Sequence, residues 1–104
     1  MSRYEIRLTA IAGNDLQEIV SYITYQLYEP EAAKRLLKKL QEAIVSLEEM
    51  PARHSLVLDE NLARRGVRRI LVDRYIVFYL IEEEEKQAII LRILYSKRNW
   101  QSLV

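Results

Sequence analysis

Cysteine is absent from the 104-residue sequence, which excludes disulfides, thiolate metal sites and a cysteine nucleophile. That absence suits a reducing cytosol. Glycine is almost as scarce: with only Gly13 and Gly66, neither a phosphate-cradling P-loop nor a GxGxxG dinucleotide fingerprint can be written. The GxSxG and HExxH signatures of hydrolases and metalloproteases are missing too. The single histidine, His54, lacks a second imidazole or a thiol as co-ligand and has no orienting partner in sequence, so neither metal binding nor general-base work is expected of it. The longest uninterrupted apolar run, Tyr75 to Ile81, falls far short of the roughly 20 residues that cross a bilayer. The segment Met1 to Arg7 alternates charged and apolar residues and contains no apolar core of a signal peptide. Secretion and membrane insertion are therefore not expected, and a cytoplasmic location is.

What is present is the composition of a globular protein, half of it apolar or aromatic and 30% charged. The length fits one domain over residues 1–104, with one small core. The net charge of +1 conceals an asymmetry: residues 1–52 carry six Lys/Arg against eight Asp/Glu, and residues 53–104 carry ten against seven. Four of those seven acids form the run Glu82 to Glu85, which reads as a solvated turn and leaves the rest of the C-terminal half basic. A face of that kind favours an anionic partner.

The hydrophobic pattern changes period along the chain. Tyr4, Ile6 and Leu8 alternate with Arg3, Glu5 and Arg7, which predicts an edge strand over Arg3 to Leu8. Leu16, Ile19, Val20, Ile23 and Leu27 then fall on one helical stripe, with Thr9 as the expected N-cap. Pro30 suits the first position of a second helix, whose stripe runs through Ala33, Leu36, Leu37, Leu40, Ala43, Ile44 and Leu47 and ends near Met50-Pro51. So short a connection predicts an antiparallel helical hairpin. Pro51 to Gly66 reads as a loop with a short helical turn at Asp59 to Arg64. Three strands follow, Val67 to Val72, Tyr75 to Ile81 and Gln87 to Tyr95, the first two joined by Asp73-Arg74. The last two are apolar on both faces and should be the inner strands. The expected fold class is α+β, ordered β-α-α-β-β-β, with the helical hairpin packed on a small, mainly antiparallel sheet.

Several residues admit both a structural and a functional reading. Arg64, Arg65, Arg68, Arg69 and Arg74 lie close together with Asp73 as the only acid among them; they are either a solvated hairpin or an anion-binding edge. Arg92 interrupts Ile89-Ile90-Leu91 and Ile93-Leu94, so it either pairs with an acid such as Glu5 or Glu18, or marks an open sheet face. Strict alternation puts Arg92 with Ala88, Ile90 and Leu94, and Tyr95 on the opposite face, so the two meet only across a bulge or bend. The tail Tyr95-Ser96-Lys97-Arg98-Asn99-Trp100 combines cations with aromatics that can stack on bases, or it folds back so that Trp100 and Leu103 cap the core.

Four blocks resemble the RelE/ParE superfamily of type II toxin–antitoxin toxins. They are Asp15-Leu16-Gln17-Glu18-Ile19 with Tyr22-Ile23, Leu27-Tyr28-Glu29-Pro30 with Ala32-Ala33, Gly66 to Ile70 with Asp73 to Tyr79, and Arg92 to Trp100. Together they span nearly the whole chain in the family's order. The resemblance implies a growth-inhibiting toxin held inactive by a cognate antitoxin, with operator DNA bound only through that antitoxin and with no metal or cofactor. RelE-like members cleave mRNA in the ribosome as metal-independent interferases, and ParE-like members poison DNA gyrase. For the nuclease branch the matching candidates are Arg69, Arg92, Tyr95 and Arg98; for target binding they are Arg68, Arg74, Lys97 and Trp100. The chain departs from the nuclease pattern at Ile76, where that branch carries an arginine, and near Val104, where it often ends in tyrosine or histidine. The long hairpin and the Arg68/Arg74 pattern resemble ParE more closely. The ParE-like reading is therefore favoured, with mRNA cleavage as the alternative and a non-toxic interaction module as a third.

Overall fold

A computed structural model describes residues 3–104. Strand β1 covers Glu5–Leu8, helix α1 Ala10–Ser21 and helix α2 Pro30–Val45; a short helix α3 (Glu60–Arg64) precedes strands β2 (Arg68–Val72), β3 (Tyr75–Glu82) and β4 (Gln87–Tyr95). The sheet order is β1-β4-β3-β2, so β3 and β4 are the inner strands, as their two-sided apolar sequences require. Two of its pairings are antiparallel hairpins, while β1 lies parallel to β4, with Glu5 opposite Gln87 and Leu8 opposite Ile90. The α+β order expected from the sequence is the observed one, and β1 begins two residues later than its alternation implied because Tyr4 N–H is taken by the Glu48 carbonyl at 2.8 Å.

Local chemistry sets the boundaries. Thr9 caps α1 by accepting the Ala12 N–H at 3.0 Å, Pro30 opens α2, and Asp59 caps α3 through the Leu62 N–H at 3.1 Å. Asp73 turns the β2–β3 hairpin with φ +53°, a left-handed conformation that aspartate tolerates better than most residues and that here replaces glycine.

The helical hairpin covers one face of the sheet. Its stripe of Ala33, Leu36, Leu40, Ile44 and Leu47 packs on Ile70, Val72, Val77, Tyr79, Ala88, Ile90 and Ile93. Leu27, expected on the α1 stripe beside Ile23, is instead 47% exposed. The cause is a π-helical turn over Tyr22–Gln26, closed by Leu27 N–H bonding to Tyr22 C=O at 3.1 Å, which widens the turn and carries Leu27 off the stripe. On the other face, α3 and the C-terminal tail cover Val67, Ile76, Phe78 and Leu94. Trp100 packs on Phe78 with ring centroids 5.2 Å apart, so the tail caps the core.

One polar pair sits within this apolar frame. Arg92 presents Nε and Nη2 to the two carboxylate oxygens of Asp15 at 2.8 and 2.9 Å, and Asp15 also accepts the Ile93 N–H at 3.0 Å. The acid that pairs with Arg92 is thus Asp15 of α1, not Glu5 or Glu18. Strand β1 stops opposite Ile90, so on that side the far end of β4 has no strand neighbour, and Asp15 occupies the edge that β1 leaves open. The loop that precedes α3 seals the other edge: Val57 N–H bonds to Val67 C=O and Arg69 N–H to Ser55 C=O. Inside that loop Tyr79 O–H donates to the Pro51 carbonyl at 2.5 Å, and His54 meets the Tyr79 ring edge-on at 6.3 Å.

Two outcomes follow from this packing. Asp15 and Arg92 side chains are 7% and 16% exposed, so Asp15→Ala, which strands the guanidinium, should lower unfolding free energy by about 3 kcal/mol in urea titration, and an apolar double replacement should recover most of the loss. A loss below about 1 kcal/mol would show that the pair holds little. Burial, with Arg53 nearby, lowers the His54 pKa below its ordinary 6.5. Since the folded form then binds its proton less readily than the unfolded form, this contribution is complete above pH 6.5 and is lost as pH falls. His54→Gln should flatten the decline in melting temperature between neutrality and mild acid, and an unchanged slope would refute it.

Candidate functional site

A cleft of about 1000 Å³ opens where β3 begins and β4 ends, between these strands and the helical hairpin. Its floor is apolar: Ile19 and Ile23 from α1 and the π turn, Leu36 from α2, and Ile93 from β4. Tyr22, Tyr75 and Tyr95 form its aromatic wall. Tyr75 and Tyr95 are cross-strand partners whose rings meet edge to face at 5.8 Å. Burial raises the Tyr75 hydroxyl above its ordinary pKa, and the nearby Tyr22 and Tyr95 phenols raise it further.

A β-bulge brings Tyr95 here. Tyr79 pairs with Ile90 and Phe78 with Arg92, leaving Leu91 as the extra residue on β4. Before the bulge Ala88 and Ile90 face the helices; after it Ile93 does. The strict alternation expected from sequence, which grouped Arg92 with Ala88, Ile90 and Leu94 and put Tyr95 on the face opposite them, fails at that residue. Arg92 shares a face with Leu94 but not with Ile90, and Tyr95 joins Ile93 on the helix side.

The charges around the cleft are segregated. Arg74, from the hairpin turn, and Arg98, from the tail, stand on the strand side, while Glu18 and Glu29 stand on the helix side. None of the four forms an ion pair among the described residues. Asp73, beside Arg74, is satisfied by Lys39 at 3.3 Å.

The remaining candidates are placed elsewhere. Arg92 is bound to Asp15 and donates through Nη1 to the Leu103 carbonyl at 3.0 Å, and hydrogen bonding to Asp15 raises its pKa further. Arg68 donates to the carbonyls of Ala52 and His54 at 3.2 and 2.6 Å, bracing the loop. Arg69 lies on β2 opposite Phe78, on the sheet face away from the helices and across the sheet from the cleft. Lys97 is exposed, and Trp100 is engaged with Phe78. Of the four nuclease candidates, only Tyr95 and Arg98 share a site; of the target-binding four, Arg74 joins them. Sequence reading missed Tyr22, Tyr75, Glu18 and Glu29, whose meeting depends on the bulge and the π turn. Among the described residues no three His, Asp or Glu side chains group as a metal site, and no helix is long and apolar enough to cross a membrane.

The sequence matches the family described as the ParE toxin of type II toxin–antitoxin system, parDE, over residues 6–100. No curated protein matches it. Among solved structures, a chain of the chromosomal ParDE toxin–antitoxin system of P. aeruginosa is 21% identical, with a TM-score of 0.74 over 91% of this chain and 98% of that one. A chain of the RelBE2 toxin–antitoxin complex of Mycobacterium tuberculosis is 25% identical, with a TM-score of 0.66 over 89% and 98%. The archaeal RelE–RelB complex of Pyrococcus horikoshii OT3 contains a chain that shares the fold at 16% identity, with a TM-score of 0.60 over 92% and 98%. With a fold common to both branches and a family match that spans almost all of its elements, the chain belongs to the ParE toxin family of type II toxin–antitoxin systems.

Proposed function

We propose that this toxin arrests growth by binding DNA gyrase and trapping it on DNA, without itself cleaving nucleic acid, and that a cognate antitoxin neutralises it. The observation that carries this reading is the dispersal of the four residues an mRNA interferase would use. Arg92 is committed to Asp15 and Leu103, and Arg69 stands on the other face of the sheet from Tyr95 and Arg98. With Arg69 and Arg92 both away from Tyr95 and Arg98, the four-residue constellation that the resemblance assigns to the interferase branch is not assembled. The match to the ParE family over residues 6–100 supports the same choice. The antitoxin follows from that membership and from the related structures, which are toxin–antitoxin assemblies by description. Operator DNA would be reached only through the antitoxin, and the reaction requires no cofactor. The cytoplasm, where gyrase works, is the proposed site of action.

Purified toxin added to gyrase and relaxed plasmid should inhibit supercoiling and accumulate protein-linked linear DNA, and equimolar antitoxin should reverse both. Brief induction in cells should raise the DNA-damage response while messages stay full length. Intact supercoiling together with codon-positioned cuts in message would replace this reading by the RelE-like one. Growth unaffected by overexpression without antitoxin would leave only an interaction module.

A further inference from the structure

The cleft holds chemistry that gyrase binding does not call for. Its aromatic wall and apolar floor accept a planar, weakly polar group, its strand-side rim supplies two unpaired guanidinium groups, and its helix-side rim supplies two unpaired carboxylates. These are three distinct demands on one ligand. A planar ring fits among tyrosines, where stacking is worth roughly 1–3 kcal/mol per base in nucleic-acid complexes. Forked guanidinium donors match the oxygens of a phosphate. Carboxylates opposite them accept from neighbouring hydroxyls, as acidic residues do from the ribose of a bound dinucleotide.

We propose that this cleft is a binding site for a nucleoside 5′-phosphate, with the base among Tyr22, Tyr75 and Tyr95, the phosphate between Arg74 and Arg98, and the sugar hydroxyls toward Glu18 or Glu29. Asp73 does not oppose the phosphate, because Lys39 already neutralises it. The other acid of the lining, Asp15, is likewise held by Arg92. The volume, about 1000 Å³, lies at the upper end of the range for small-molecule sites and leaves room for more than one nucleotide unit. The same chemistry is offered by a free nucleotide and by one unit of a nucleic-acid strand. This assignment stands whether or not gyrase is the target.

Adenosine 5′-monophosphate titrated into the isotope-labelled, purified chain should shift amide signals bordering the cleft saturably. Adenosine and ribose 5-phosphate, each lacking one half of the ligand, should bind at least about tenfold more weakly. Arg74→Ala with Arg98→Ala should weaken the monophosphate by about tenfold or more and leave adenosine unchanged, whereas Tyr95→Leu should weaken both. Arg64→Ala, outside the cleft, should bind like the parent. A short single-stranded oligodeoxynucleotide forms the second arm: affinity more than about tenfold above the monophosphate assigns the site to a strand, and equal affinity assigns it to free nucleotide. The proposal is overturned if neither probe gives saturable shifts, if the arginine replacements leave binding unaltered, or if only an amphipathic helical peptide fills the cleft.

Discussion

The bidentate contact between Asp15 and Arg92 holds α1, the inner strand β4 and the C-terminal tail to one another. One carboxylate ties α1 to β4 through both a guanidinium and a strand amide, and the same guanidinium ties β4 to the tail carbonyl of Leu103. A charge taken out of water is tolerated only when its partners are complete, so the geometry of all three segments is fixed together. Arg92 is thereby committed to the architecture, whereas Arg74 and Arg98 stand unpaired among the described residues at the strand-side rim of the cleft.

Much of the fold was legible in the sequence because it rests on local rules that repeat. Alternation marked β1, runs apolar on both faces marked β3 and β4, the stripe of Leu36, Leu40 and Ile44 marked α2, and Thr9 and Pro30 marked helix starts by donor and acceptor accounting. The candidate site was far less legible. It arises where two regular patterns each gain a residue, at Leu91 in β4 and in the π turn over Tyr22–Gln26. Neither insertion has a compositional signature, and each reverses or rotates the side chains that follow. Tyr95 was therefore expected on the wrong face and Leu27 on the wrong stripe. Arg92 was rightly singled out as a charge that needed a partner, but its partner lies 77 residues away and could not be chosen among several acids by spacing.

The two faces of the sheet divide the work. The face away from the helices is closed by α3, Trp100 and Leu103, and its arginine Arg69 stands apart from the other charged candidates. The cleft side combines tyrosine, arginine and glutamate around an apolar floor, the residue mixture in which binding energy concentrates. Arg69 and Arg92 thus lie away from the cleft that gathers Arg74, Tyr95 and Arg98.

The parallel pairing of β1 with β4 has a consequence for how the protein comes into being. Residues 5–8 are made well before residues 87–90, with which they pair, so their place in the sheet does not exist until everything between them has been synthesised. Contacts between such distant segments close slowly and late. Because Ile93 and Tyr95 also line the cleft, a nascent chain that has not reached the end of β4 lacks that cleft. Until β4 has been made, the cleft does not exist, so a partner that reads it can engage only chain in which both ends of the fold have come together.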